Sequence, residues 1–249
     1  MPQLERRARR DGLVTYRSPS LAALEVPHVF TTRRGPRGGE LDLRELDAGA
    51  RAELLRAVGL PQATLVHARQ VHGADVHASD APLPAEAPTA DALRTARHDR
   101  VLAVWTADCV PVLLASPEGA PVAAVHAGWR GLVGEVLPRA VEALGEVAVA
   151  AIGPCLSTER FEVGEEVAEA FRDAGLAETV HPVPGARPHV DLRAAAHEQL
   201  RRCGVPIIDS TDRCTWRDAA EFYSYRRDVT HGGQAHTGRL AALIGVANG

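Results

Sequence analysis

Residues 101–127 read VLAVWTADCVPVLLASPEGAPVAAVHA. Within them Val101–Thr106, Val110–Leu114 and Val122–Val125 are short apolar runs rich in Val, Leu and Ala, which predicts three strands. Ser116–Pro117–Glu118–Gly119, between the second and third, is a turn sequence, so these two strands should form a hairpin. Outward from this segment, Val147–Ile152, Ile207–Ile208 and Leu240–Val246 read as further strands, whereas Gly164–Ala174 and Leu192–Cys203 carry helical spacing. Val133–Leu144 also has a helical pattern, although Pro138 lacks the N–H that a helix interior needs. Ala81–Ala90, dense in Pro and Ala, reads as an exposed loop, because strand material resumes directly after it. The pattern predicts an α/β fold with mixed sheet.

A chain of 249 residues, 45% of them apolar, is long enough to bury a substantial core in one domain. Met1 to Arg10 carries Arg6, Arg7, Arg9 and Arg10 with no apolar run behind them, so residues 1–12 read as a flexible arm and 13–249 as a single catalytic domain. Nowhere is there the apolar run of about 18 residues that a membrane span requires. The net charge of −4 supplies no sequence-wide basic field for a phosphate backbone. The expectation is therefore a cytoplasmic protein whose partners are small molecules, not nucleic acid or membrane. All 28 basic residues are Arg, which excludes Schiff-base, pyridoxal-phosphate and lysine-dependent P-loop chemistry. The four cysteines, Cys109, Cys155, Cys203 and Cys214, form no CxxC pair and read as reduced thiols.

Three short segments place metal-competent residues at the ends of apolar runs beside small residues: Gln70–Gly73, Thr106–Cys109 and His126–Gly131. His72, Cys109 and His126 together make two imidazoles and one thiolate, the ligand count of a catalytic zinc site with one open position. Spacings of 37 and 17 residues match no compact metal motif. The same three residues also read as two structural histidines and a buried packing thiol.

QVHG (Gln70–Gly73), TADCVPVLL (Thr106–Leu114), HAGWRG (His126–Gly131), IGPC (Ile152–Cys155) and FYSYRRD (Phe222–Asp228) resemble the laccase-domain family. Its members are described variously as multicopper polyphenol oxidase-like proteins, peptidoglycan editing factors and purine nucleoside phosphorylases. Further matches at Thr31–Arg33, FEVGEEVAEAF (Phe161–Phe171), Cys214–Thr215 and Thr237–Arg239 extend the resemblance over nearly the whole chain. It implies a four-layer α/β/β/α sandwich with mixed sheets and metal ligands at His72, Cys109 and His126. It also implies zinc-dependent phosphorolysis of adenosine, inosine and methylthioadenosine, with an associated adenosine deaminase activity.

The chain departs from the family pattern twice. Asp42 stands where the family has Asn, which would bring a negative charge toward the pocket, and Val229–His236 is an insertion, read as a surface loop. Arg33, Arg130 and Arg226 are candidate partners for phosphate or ribose, since a guanidinium holds an oxyanion through two hydrogen bonds. Gln70 is a further substrate-binding candidate, and Asp108 a catalytic or ligand-orienting one. The alternative activities are a cysteine or zinc amidohydrolase editing peptidoglycan precursors, with Cys109 as nucleophile and His126 as base, and a copper-dependent polyphenol oxidase. Copper could occupy the same three ligands. A multicopper relay is disfavoured by the residue inventory, because none of the 11 histidines forms a His-x-His pair and the single Met is the initiator.

Overall fold

The computed structural model describes residues 3–44 and 47–247. In chain order the strands are β1 (Glu5–Ala8), β2 (Val14–Arg17), β3 (His28–Thr31), β4 (Thr64–His67), β5 (Val76–Ala78), β6 (Ala92–Thr95), β7 (Arg100–Thr106), β8 (Val110–Ala115), β9 (Val122–Ala127), β10 (Val149–Ile152), β11 (Val180–His181), β12 (His189–Val190), β13 (Ile207–Asp209) and β14 (Leu240–Gly245). The helices are α1 (Pro19–Ala23), α2 (Ala48–Val58), α3 (Trp129–Val133), α4 (Val136–Leu144), α5 (Glu165–Asp173) and α6 (Leu192–Arg202). Two six-stranded mixed sheets form, ordered β1-β2-β3-β14-β7-β4 and β13-β10-β8-β9-β6-β5.

Why these strands read as unbroken apolar runs is clear from their two faces. In β7, Leu102 and Val104 enter the core between the sheets, while Val101 and Ala103 face α2. In β8, Leu113 and Ala115 enter the same central core, while Val110, Val112 and Leu114 pack in the cluster containing α4, α5 and α6. Strands covered on both faces cannot alternate with polar residues. The layers are therefore helices, sheet, sheet and helix, matching the four-layer sandwich implied by the resemblance. β8 and β9 pair antiparallel around the Ser116–Gly119 turn, as expected.

Two expectations change. Residues 5–8, read as part of a flexible arm, pair with β2 as an edge strand. All four side chains are exposed, so this strand is held by its backbone ladder and an Arg6–Glu221 ion pair at 2.7 Å and leaves no apolar signal. The Val133–Leu144 pattern divides into α3 and α4 around Gly134 and Glu135, and Pro138 falls in the first turn of α4, where its missing N–H would have had no intrahelical acceptor. The insertion, Val229–His236, begins in the second half of a π-helical turn, Arg226–His231, and continues as an exposed loop.

His28 in β3 is fully buried; its Nε2 accepts from the Ser18 N–H at 2.8 Å and its Nδ1 faces the Val26 carbonyl at 2.8 Å. Burial pushes it down from 6.5 to about 4, so the folded state holds the neutral ring and the unfolded state takes up the proton first. Its contribution to stability is present above pH 6.5 and is lost as pH falls toward 4. The expected loss approaches about 1.4 kcal/mol per pH unit within that window. Urea unfolding across it should show this slope in the wild type and a reduced one in His28→Gln.

Candidate active site

The site sits at one end of the seam between the sheets. β4 and β7 run parallel and end there; after β7 the chain crosses through Ala107–Cys109 into β8, and β9 returns to the same end. His72 follows β4, Cys109 lies on the crossing and His126 closes β9, so residues far apart in sequence meet. Their donor atoms all lie within 4.8 Å of one another.

A residue the sequence reading stopped one short of, Asp91, organises this triangle. Its buried carboxylate accepts from His126 Nδ1 at 2.8 Å and from the backbone N–H groups of Val71, His72 and Gly73 at 3.1, 3.0 and 2.7 Å. The first contact leaves Nε2 of His126 as the free donor atom of the ring. The other three hold the turn in which His72 takes a positive φ of 61°, a conformation costing a residue with a side chain about 1–3 kcal/mol. Asp91 reaches this position because β6 starts directly after it and pairs with β9; the Asp91 carbonyl accepts from the His126 N–H at 2.7 Å. Its sequence signal is faint: a lone carboxylate between a Pro-rich loop and an apolar run.

Burial opposes charge on both Cys109 and His126, yet each stabilises the other. With His126 and His72 beside it the Cys109 thiol is pulled down to about 6, while the Cys109 thiolate and Asp91 push His126 up to about 9. The thiol is thus ready to serve as thiolate. Gly128, the N-cap of α3, leaves the room the triangle needs: a Cβ there would lie 2.8 Å from His72 Cδ2 and 3.3 Å from Cys109 Sγ. Its φ of −73° suits any residue, so only space demands glycine. Two imidazoles, a thiolate and a cradle that a methyl group would fill fit a zinc ion, and the same donors accept copper. Gly128→Ala should displace the His72 ring, costing about 1–3 kcal/mol of packing and weakening zinc retention in a chelator competition.

A cleft of about 670 Å³ opens beside the triangle. Gln70 and Asp108 line it, as do Arg69, Arg226 and Arg239. Gln70 spends its amide on the Trp105 backbone, donating to the carbonyl at 2.8 Å and accepting from the N–H at 2.7 Å, so it ties the His72 loop to β7. Asp108, at a positive φ of 99°, accepts from Thr215 Oγ1 at 2.5 Å and from the Arg226 N–H at 2.6 Å. Burial raises its pKa, and these hydrogen bonds work against the rise. Asp108 thereby anchors the segment that carries Arg226.

Of the arginines singled out from sequence, only Arg226 lines this cleft. Arg130 is exposed on α3 with its guanidinium 4.3 Å from the Trp129 ring centroid. Arg33 lies over Tyr223, pairs with Glu40 and lines a separate, smaller pocket. Arg69 and Arg239 were not singled out individually. Their donors and those of Arg226 meet neutral oxygens: Thr89 Oγ1, the Thr237 and Gly238 carbonyls, and the Glu162 carbonyl respectively. Asp42 accepts from Arg44 and from the Arg239 N–H at 3.1 Å and lines the smaller pocket, so its charge is spent holding Arg239 in place. Among the described residues no helix is long and apolar enough to cross a membrane.

The chain is similar to a purine nucleoside phosphorylase of Deinococcus radiodurans, 43% identical over 251 residues and covering 94% of each chain. It is 40% identical over 159 residues to a purine nucleoside phosphorylase of Escherichia coli, covering 62% of this chain and 63% of the other. Among solved structures, a Neisseria meningitidis protein superposes with a TM-score of 0.76 at 29% identity, over 99% of this chain and 100% of the other. YlmD from Geobacillus stearothermophilus gives 0.81 at 27% identity over 100% of both. Residues 42–247 match the family model described as multi-copper polyphenol oxidoreductase laccase. With the match spanning the whole second sheet, β4, β7 and β14 of the first and all three converging donors, the chain belongs to that laccase-like family.

Proposed function

We propose that this protein is a zinc-dependent purine nucleoside phosphorylase acting on adenosine, inosine and methylthioadenosine, with an associated adenosine deaminase activity. The observation that carries the reading is the convergence of His72, Cys109 and His126 on a cleft walled by Arg69, Arg226 and Arg239. The names of the relatives support the substrate class.

His72, Cys109 and His126 would hold the ion, and a bound zinc ion supplies Lewis acidity. In phosphorolysis a phosphate oxygen bonds to C1′ of the ribose as the C1′–N9 bond breaks, its electron pair leaving with the purine, which takes up a proton. Arg69, Arg226 and Arg239 bind and orient the phosphate, a role that the placements of Arg33 and Arg130 do not favour. Asp108 and Asp91 act as positioning residues, the first through Arg226 and the second through both histidines. In deamination water adds at C6 of adenine and ammonia leaves, which calls for the base to lie at the His72–Cys109–His126 end of the cleft.

Purified protein given adenosine should release adenine and ribose 1-phosphate only when phosphate is present, and inosine independently of phosphate. Product chromatography with matched metal analysis checks both, and release of neither product defeats the reading. One observation favours a second reading: Cys109 and His126, with their donor atoms within 4.8 Å, are also the arrangement of a nucleophilic cysteine with its base. That route requires a metal-free thiolate, so amide hydrolysis of a peptidoglycan precursor that increases on metal removal would select it.

A further inference from the structure

IGPC (Ile152–Cys155) and Cys214–Thr215 take no part in the phosphorylase reading. Cys155 and Cys214 face each other across an isolated parallel bridge, in which the Thr215 N–H donates to the Cys155 carbonyl at 3.0 Å. Both side chains are fully buried and enter the same core cluster, so the two thiols lie on one side of the bridge. Bridged strands stand about 4.8 Å apart. That lies inside the span of roughly 4.4–6.8 Å between the Cα atoms of a disulfide. Each cysteine is followed by a residue that grips Asp108: the Leu156 N–H donates to the Asp108 carbonyl at 2.9 Å, and Thr215 Oγ1 to its carboxylate at 2.5 Å. The same carboxylate accepts from the Arg226 N–H, and Leu156 itself lines the cleft. On the outer side Arg193 covers Cys155, with Nη2 3.6 Å from Sγ and 2.9 Å from the Arg213 carbonyl. Its buried Nε has no partner among the described residues, and the side chain lines an open pocket of about 500 Å³ alongside α6. Swinging Arg193 outward gives up few hydrogen bonds and uncovers the sulfur.

We propose that Cys155 and Cys214 close into a reversible disulfide that acts on the cleft through Asp108. Hydrogen peroxide is the oxidant. Cys155 Sγ attacks one peroxide oxygen, the O–O bond breaks, and the products are a sulfenic acid and water; Cys214 Sγ then displaces the sulfenic hydroxyl as a second water. Two thiols and one peroxide thus give one disulfide and two waters, and a dithiol reductant reverses the step by exchange. Burial pushes the Cys155 thiol up to about 11, so thiolate is scarce and closure follows sustained exposure, not a brief pulse. Closure draws the two sulfurs into bonding contact. The movement falls on the adjoining Leu156 and Thr215, and it loosens the hold of Asp108 on the Arg226 N–H.

The test incubates the purified protein with excess hydrogen peroxide for hours and maps its peptides without reduction. The four cysteines fall in four different tryptic peptides, so the map names the partners directly. The expected result is the Cys155 peptide joined to the Cys214 peptide, separated again by dithiothreitol. Hydrogen exchange in the segment around Arg226 should then be severalfold faster in the oxidised protein, return to its first rate on reduction, and stay unmoved by peroxide in Cys214→Ser. A melting curve verifies the fold of that variant, and the wild-type map decides the pairing whether or not the variant folds. Both thiols left free, either one carried to a sulfinic acid, or either one joined to Cys109 or Cys203 overturns the proposal. A Cys155–Cys214 link that leaves exchange around Arg226 unchanged overturns its action on the cleft. Neither measurement involves nucleoside turnover, so the outcome is independent of the phosphorylase reading.

Discussion

Cys109→Ala is expected to lose zinc while keeping its fold. Removing one of three protein donors forfeits roughly a third of the about 10–16 kcal/mol apparent for zinc sites, or on the order of a thousandfold in affinity. The core does not depend on the ion: Cys109 lies at the end of the seam, and the three clusters that hold the layers together contain none of the three donors. Competition with a chromophoric chelator measures the affinity, and circular dichroism with a melt measures the fold. Stoichiometric zinc bound with wild-type affinity in Cys109→Ala would show that the three donors are a structural cluster and that the metal sits elsewhere.

The second large effect is expected at Asp91. Asp91→Asn keeps the size of the side chain but replaces one acceptor oxygen with an amide N–H₂, which then faces donors in a site where the carboxylate accepts four hydrogen bonds. Leaving buried donors unsatisfied costs about 1–3 kcal/mol each, so the turn carrying His72 should loosen and global stability should fall by roughly 2–4 kcal/mol. The free Nε2 of His126 also loses its fixed tautomer, and outer partners of this kind are worth about 10–100-fold in metal affinity. A purely structural role would lower the melting temperature and leave the affinity of the folded fraction unchanged. Measuring zinc affinity well below the melting temperature separates the two.

The legible parts of this fold are those whose signal is local. The β8–β9 hairpin shows in two apolar runs and a turn, and the helices α5 and α6 show in their spacing. His72, Cys109 and His126 stand out because a metal-competent side chain ends an apolar run in each case. Asp91 escapes this kind of reading, since its importance comes from the pairing of β6 with β9, which no neighbouring residue reports. Arg130 is the opposite case: its place in the HAGWRG segment beside His126 makes it a candidate, but α3 carries its side chain out over Trp129. The arginines that do wall the cleft come from the segment after β4 and from the stretch before β14, more than 150 residues apart, and only the closed sandwich brings the two together. β1 shows no pattern because its ladder to β2 is made by backbone alone.

The position of β14 has a consequence for how the chain must be made. Leu240–Gly245 lies inside the first sheet, bonded to β3 on one side and to β7 on the other. While a ribosome is still synthesising the preceding 239 residues, β3 and β7 have no partner on those edges, and the central core lacks Leu240, Ala242 and Ile244. That nascent chain presents two unpaired strand edges to any neighbour, a state prone to aggregation until β14 arrives. The first sheet therefore cannot close until β14 has been made, however early the other strands pair. A stop introduced before Leu240 should leave an insoluble product that a synthetic peptide spanning residues 236–247 partly rescues.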